Sequence, residues 1–143
     1  MKKLLILLFS IIISFNSYGE TKEYYYSNGQ IASETNYKDG KKDGKWTNWF
    51  EDGQKHVEKN YKEGKLHGKF IQWNESGQKI EEHSYKDGTP DGKWTWWFED
   101  GQKYVEKFFK DGKMNGKMTV WYEDGQIESE CNLKDGVAIS GNC

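Results

Sequence analysis

The sequence predicts an all-β fold, an elongated antiparallel meander of stacked 24-residue β-hairpin repeats that forms an open, solenoid-like single sheet. Three observations predict it: a fixed repeat length, columns of glycine at turn positions, and short aromatic and β-branched runs between the turns. The repeat is plainest in the segment 38–54, since 14 of its 17 positions recur unchanged at 86–102.

Several independent columns of residues keep the 24-residue step. Gly-Gln pairs begin at Gly29, Gly53, Gly77, Gly101 and Gly125. Two further glycine columns are Gly40, Gly64, Gly88, Gly112, Gly136 and Gly44, Gly68, Gly92, Gly116. A glutamate column is Glu34, Glu58, Glu82, Glu106, Glu130, and an aromatic column is Trp49, Trp73, Trp97, Trp121. Agreement among so many columns predicts repeated structural units of one kind.

One unit, residues 44–67, contains two strand-like runs, 45–50 and 55–61. Between the runs stands Glu-Asp-Gly-Gln, a tight-turn sequence, because glycine supplies the positive φ that hairpin turns need. A second, longer turn with two glycines follows the second run. Glycine recurs too often for a helix of useful length, so each unit is predicted to be a β-hairpin.

A lone hairpin has too little apolar area to be stable, and stacking the next unit beside it pairs its open edge. After residue 19 the chain has only 11 Ile, Leu and Val residues against 20 aromatic ones, so most of its apolar area comes from rings. Five units of two strands, at about 4.8 Å per strand, predict a ribbon about 45–50 Å long.

The register across the first turn has two possible forms. A three-residue turn over Glu51–Gly53 pairs Trp49 with Lys55 and groups Trp49, Val57 and Tyr61 on one face. A two-residue turn pairs Trp49 with His56 instead, and a slip of one residue exchanges the faces. We favour the three-residue turn because it gathers apolar side chains.

The first 19 residues differ from the rest. A basic start, an apolar run of 12 residues and a small-residue end are typical of a secretory signal peptide, with a cut predicted after Gly19. The alternative is an uncleaved N-terminal anchor, although the run is shorter than the roughly 20 apolar residues of a membrane span. We therefore expect export to the periplasm, the cell surface or the medium, with residues 20–143 as one repeat domain that ends in a C-terminal cap.

Without residues 1–19, the chain carries 19 lysines, no arginine and 23 acidic residues, a net charge of −4. Nucleic-acid binding requires clustered positive charge, and arginine is the side chain best suited to phosphate, so nucleic acid is excluded as a partner. The same composition predicts only weak binding to an anionic membrane, if any.

The order Tyr-x-x-Gly-x-x-x-Gly-x-Trp, followed by a ring and Asp-Gly-Gln, resembles the bacterial variant of the MORN repeat. The copies stand at Tyr37, Gly40, Gly44, Trp46; at Tyr61, Gly64, Gly68, Phe70; and at Tyr85, Gly88, Gly92, Trp94. A fourth copy drifts to Phe109, Gly112, Gly116, Met118, and a partial fifth begins at Leu133 and Gly136. The resemblance covers residues 24 to about 137 and implies an elongated antiparallel sheet with a binding or scaffolding role. Some bacterial relatives are labelled as antitoxins, so an antitoxin-like partner of a toxin is one alternative.

Polar side chains give no sign of a catalytic or metal centre in the sequence. His56, His67 and His83 fall in three different columns, so we expect solvated or loop histidines. The glutamate column is expected to form cross-strand ion pairs with lysines, because a strand column spreads carboxylates too widely for a calcium cage. We predict no enzyme activity, no cofactor and no metal.

The aromatic columns are the candidate binding residues. Trp49, Trp73, Trp97 and Trp121 are expected to form a row, which fills a packed face if buried and stacks on sugars or cations if exposed. We favour burial. Trp96 breaks its own column, and the run Trp94–Phe98 places rings on both faces of one strand, so at least one ring there is expected to be exposed as a protein-binding hot spot.

Cys131 and Cys143 are the only cysteines in the chain. An even number in an exported chain predicts a disulfide that pins the last strand as a cap, with two free thiols or metal ligation as the alternatives.

The function expected from these observations is non-enzymatic. The exported repeat protein presents an extended aromatic β surface to another protein, at the cell envelope or outside the cell. A cell-wall or glycan-binding module that uses the aromatic columns is the alternative. An open strand edge near Tyr24–Tyr26 makes edge-to-edge self-association a further expectation.

Overall fold

The structure is a computed structural model that describes residues 9–16 and 19–143. In these ranges every regular element is a strand, and the 14 strands form one antiparallel sheet. They are β1 Phe9–Asn16, β2 Gly19–Tyr25, β3 Ile31–Lys38, β4 Lys41–Trp49, β5 Lys55–Lys62, β6 Lys65–Trp73, β7 Lys79–Lys86, β8 Thr89–Pro90, β9 Gly92–Trp97, β10 Lys103–Lys110, β11 Lys113–Met114, β12 Gly116–Trp121, β13 Ile127–Lys134 and β14 Val137–Asn142. The predicted all-β meander is confirmed. Within the described ranges there is no helix that is long and apolar enough to cross a membrane.

The strands follow one another across the sheet in chain order. β8 pairs with β7 and β11 pairs with β10, so each of these short strands shares a row with the strand that follows it. The sheet is therefore a single layer in which every hairpin pairs with the hairpins before and after it.

Asp-Gly turns join the strands along one side of the sheet. Asp39 and Gly40 both have positive φ, 50° and 73°, and Lys38 pairs directly with Lys41. Positive φ at both central residues is the two-residue hairpin turn whose twist matches that of the strands. Each later turn also contacts its predecessor, since the Gly64 N–H donates to the Lys42 carbonyl over 2.8 Å.

Glu-Asp-Gly-Gln turns lie along the other side. The Gly53 N–H donates to the Phe50 carbonyl over 3.0 Å, and the Gln54 N–H donates to Asp52 Oδ1 over 2.9 Å. Trp49 pairs with Lys55, as the three-residue turn predicted. A β-bulge follows at once, however.

The bulge makes the predicted grouping of Trp49, Val57 and Tyr61 wrong. Asn48 is opposite Val57 and Gly44 is opposite Tyr61, which leaves His56 as the extra residue. An extra residue in one strand reverses the alternation of side chains beyond it.

The N-terminal edge of the sheet is strand β1. It pairs with β2 along its outer side, with Phe9 opposite Tyr25. β1 lies within the predicted signal peptide, so the open edge expected near Tyr24–Tyr26 after cleavage stays a prediction. Residues 1–8 and 17–18 of the predicted signal peptide lie outside the described residues, and its cleavage after Gly19 stays a prediction.

The C-terminal edge is strand β14, which pairs with β13. Cys131 and Cys143 are joined as a disulfide with their Cα atoms 5.4 Å apart, as predicted. The link holds the last strand on the sheet, because Cys131 is itself buried in β13.

The two faces of the sheet carry different side chains. Residues directly opposite each other on neighbouring strands share a face. One face, called here the aromatic face, carries Trp46, Phe70 and Trp94. The other, called here the charged face, carries the glutamate column. Among residues 19–143 the buried apolar side chains are only Val105, Cys131 and Leu133, so the described part of the sheet has no thick core.

Candidate functional site

The aromatic face is organised around one line of side chains that crosses the strands. Each member pairs with, or stacks on, the next one in the neighbouring strand. In order across the sheet the line runs Thr35, Trp46, Lys59, Phe70, His83, Trp94, Lys107. From Trp46 onward, the aromatic rings of Trp46, Phe70 and Trp94 therefore alternate with Lys59, His83 and Lys107.

The lysines of this face lie over aromatic rings. Lys59 Nζ is 5.0 Å from the ring centroid of Trp46 and 5.2 Å from that of Phe70. Lys42 Nζ is 5.8 Å from the centroid of Trp46 and 5.2 Å from that of Tyr61. These are cation–π distances, at which the negative face of a ring attracts an ammonium group.

The same lysines have no acidic neighbour. Lys42, Lys59 and Lys107 are half-buried, and none of them lies within 4.0 Å of a carboxylate among residues 19–143. Burial, with the charge of Lys42 as a second cause, lowers the pKa of Lys59. Within residues 19–143, the aromatic face thus holds lysines that form no ion pair.

His83 occupies the position that Lys59 and Lys107 hold in other repeats, and the expectation of a solvated histidine is wrong for it. Only 7% of its surface is exposed, because its ring stacks between Phe70 at 5.2 Å and Trp94 at 4.2 Å. Its Nε2 atom is buried without a hydrogen-bond partner, and burial lowers its pKa to about 4. The rings therefore hold a neutral imidazole at neutral pH.

His56 and His67 differ from His83. His56 stacks on Phe50 at 4.3 Å, and His67 Nδ1 lies 3.0 Å from Asp87 Oδ1 beside an Asp-Gly turn. The three histidines do not converge. Among the described residues no group of three His, Cys, Asp or Glu side chains has the geometry to hold a metal ion.

Trp94 is the centre of a ring cluster on the aromatic face. Its ring centroid lies 4.6 Å from Phe109, 5.2 Å from Tyr85 and 5.9 Å from Trp96. Its Nε1–H donates to the Ser84 carbonyl over 2.9 Å, which fixes the ring orientation. The aromatic face therefore presents rigid, half-buried rings, and Trp96 is one of them.

The other four candidate tryptophans lie on the opposite, charged face: Trp49, Trp73, Trp97 and Trp121. They form the expected row, and all four are half-buried, so the expectation of burial is met only in part. Lys55 Nζ lies 5.7 Å from the ring centroid of Trp73, and Lys79 and Lys103 take the same place over Trp97 and Trp121. A lysine thus lies over each of the rings of Trp73, Trp97 and Trp121.

The charged face neutralises its own charges. Glu58 contacts Lys55 at 2.8 Å and Lys45 at 3.5 Å, and Glu82 contacts Lys69 and Lys79 in the same arrangement. Burial by itself raises the pKa of Glu58, but the hydrogen bond from Lys55 and the charges of Lys55 and Lys45 outweigh it, and the net pKa is lowered. The predicted cross-strand ion pairs are present between Lys45 and Glu58 and between Lys69 and Glu82, and each glutamate also pairs with a lysine of its own strand.

Sequence reasoning missed the lysines of the aromatic face. The signal was available, since Lys59, His83 and Lys107 occupy one column of the 24-residue repeat. Their importance was hidden because 19 lysines follow residue 19 and most of them are ordinary surface charges. The exposed rings of Tyr104 and Tyr122 were missed as well; they are 45% and 51% exposed.

Comparison with known proteins identifies the repeat. A family model described as a MORN repeat variant matches five consecutive segments. They are residues 19–39, 42–63, 66–87, 90–111 and 114–135. A search of curated proteins found no match to the chain. The matched segments cover most of the chain, and they coincide with the hairpins of the sheet. The chain therefore belongs to the MORN repeat variant family.

Proposed function

We propose that this protein is a non-enzymatic scaffold whose aromatic face binds another protein. The observation that carries the proposal is a layer of half-buried rings, from Trp46 to Phe109, with no second layer over it among residues 19–143. Aromatic side chains are enriched at protein interfaces because they bury a large area with little loss of conformational freedom. MORN repeats commonly mediate interactions with proteins or membrane lipids.

The shape of the sheet supports a binding role over a catalytic one. Five similar hairpins lie side by side in one layer, so the described residues form an extended surface of repeated groups. Interfaces of ordinary size need about 800 Å² from each partner. An extended face of stacked hairpins supplies such an area without a deep cleft.

Export is part of the proposal. The apolar run near the N-terminus has the length of a signal peptide, and a disulfide between Cys131 and Cys143 suits an oxidising compartment. N-terminal sequencing of the protein purified from the envelope or the medium tests this part. A chain that begins at Glu20 is expected, and a chain that begins at Met1 would contradict it.

Two neighbouring tryptophans provide a matched test of the binding face. Trp96 lies on the aromatic face and Trp97 on the charged face, one residue apart in strand β9. In a pulldown from envelope fractions, Trp96→Ala is expected to weaken retention of the partner about tenfold or more, as a hot-spot residue does. Trp97→Ala is the control and is expected to retain the partner. Equal retention by both variants would contradict the proposed face.

A further inference from the structure

We infer that the partner contributes an extended, acidic polypeptide segment whose carboxylates contact Lys59 and Lys107 on the aromatic face. The inference rests on the proposed function and specifies the chemistry of the partner. It follows from the unequal neutralisation of lysines on the two faces.

The lysines of the charged face form ion pairs with glutamates of the same chain. Each of the seven lies within 4.0 Å of a glutamate carboxylate. They are Lys45, Lys55, Lys69, Lys79, Lys93, Lys103 and Lys117. A carboxylate of a partner would gain little binding energy from these lysines, because each of them already contacts a glutamate of the chain.

Lys59 is in the opposite situation. It is half-buried between Trp46 and Phe70, and the nearby charge of Lys42 disfavours its charged form. A carboxylate that approaches this pair relieves their repulsion and makes a charge-assisted hydrogen bond in a partly dehydrated place. The aromatic rings beside it exclude water on two sides, which strengthens the contact.

The spacing of the lysines defines the segment. Lys59 and Lys107 lie on the same line of side chains, four strands apart, which is about 19 Å at about 4.8 Å per strand. An extended polypeptide advances about 3.3 Å per residue, so two acidic residues about six positions apart match the two lysines. Between them the line presents Phe70, His83 and Trp94, which suit apolar side chains.

The acidic side chains of the aromatic face do not neutralise Lys59 or Lys107. Glu81 Oε2 lies 3.8 Å from His83 Nε2, in the middle of the line, and Glu20 pairs with Lys22 at its end. Glu81 repels a carboxylate placed near the centre. The acidic groups of the partner are therefore restricted to the two lysine positions, with an apolar stretch between them.

A polypeptide is favoured over other anions by the same observations. The lysines of this line are separated by rings, whereas a polyphosphate chain or an anionic membrane is bound by clustered cations.

The test uses synthetic probes and the full chain with its disulfide. The first probe is a twelve-residue peptide with two glutamates six positions apart and valine or leucine between them; its control has glutamine in place of both glutamates. Titration calorimetry at low salt is expected to show at least about tenfold tighter binding of the glutamate peptide. Two further probes are measured in the same way. Oligogalacturonate tests an acidic glycan as the source of the negative charge, and phosphatidylglycerol vesicles test an anionic membrane.

Lysine variants locate the contact. Lys59→Gln and Lys107→Gln are each expected to weaken the glutamate peptide by about three- to tenfold, while Lys59→Arg retains binding because it keeps the charge. Lys55→Gln, on the charged face, is the matched control and is expected to change nothing. Thermal unfolding of every variant checks that the sheet is intact.

Several results would overturn the inference. They are equal binding of the two peptides, equal effects of Lys59→Gln and Lys55→Gln, no binding of the glutamate peptide, or preference for oligogalacturonate or vesicles. The proposed function fails separately. If Trp96→Ala loses the envelope partner and Lys59→Gln keeps it, the aromatic face is the binding face and only the acidic segment is wrong.

Discussion

The two faces of the sheet are built from the same strands, yet they treat charge in opposite ways. On the charged face each of Glu58, Glu82 and Glu106 is shared by two lysines, and buried threonines such as Thr95 lie between the glutamates. On the aromatic face Lys59 lies between rings, and no carboxylate of residues 19–143 is within 4.0 Å of it. The charged face thus pairs its lysines with its own glutamates, whereas Lys59 and Lys107 of the aromatic face have no such pair among residues 19–143.

This difference between the faces is what the proposed binding role requires of a single-layer sheet. The ion pairs of the charged face are individually weak, but they keep that side hydrated and discourage stacking of a second sheet. The rings around Trp94 on the aromatic face contact one another, whereas Trp73, Trp97 and Trp121 of the charged face lie under lysines. We therefore expect single substitutions to affect stability more on the aromatic face.

The largest expected effect is on the ring cluster of the aromatic face. Trp94→Ala removes contacts to His83, Tyr85 and Phe109 and is expected to lower the free energy of unfolding by about 3 kcal/mol. Urea unfolding followed by circular dichroism measures it. Trp97→Ala, on the charged face, is expected to cost about 1 kcal/mol because its ring packs mainly under a lysine. Equal losses would show that the two faces share the packing.

A smaller effect is expected on the pH dependence of stability, which differs between the two faces. His83 is neutral when folded, with its pKa lowered from 6.5 to about 4, and the unfolded chain therefore binds more protons between these values. Stability is expected to fall as the pH drops through this window, by about 2 kcal/mol once attraction of the imidazolium to Glu81 has offset part of the full shift. His83→Phe removes the loss in this window.

The glutamates of the charged face affect stability at a lower pH than His83 does. The pKa values of Glu58 and Glu82 are lowered from 4.5, so their contribution is present above that value and is lost as the pH falls below it. Unfolding curves of the wild type and His83→Phe, measured from pH 7 to pH 3, distinguish the two windows. A variant that still loses stability between pH 6.5 and 4.5 would show that His83 is not the cause.

The smallest expected effect is on the ion pairs themselves. Glu82→Gln is expected to lower the free energy of unfolding by only about 0.5–1 kcal/mol, because its pairs with Lys69 and Lys79 are partly exposed. Urea unfolding in 1 M NaCl is expected to remove most of the difference from the wild type. A loss of several kcal/mol that persists in high salt would contradict the view that this face mainly provides solubility.

Sequence patterns predicted the repeat, the hairpins, the meander and the disulfide between Cys131 and Cys143. They did not predict the bulge at His56, because that residue fits a continuous strand equally well. They also placed His83 in water, although its neighbours Phe70 and Trp94 lie far enough away in the chain that only strand pairing brings them together. Cleavage after Gly19 and the five candidate tryptophans as binding residues stay predictions.

The amino-acid sequence by itself determined the succession of turns and strands, since glycine and aspartate act on the backbone within a few residues. Only the tertiary structure decided which side chains share a face and which charges are neutralised. The physical reason is that register shifts within each repeat, such as the bulge at His56 and the irregularity between Lys59 and Tyr61, reset which side chains lie opposite each other. The distance between a lysine and its nearest carboxylate is then set by neighbouring strands, which the chain reaches only after a turn.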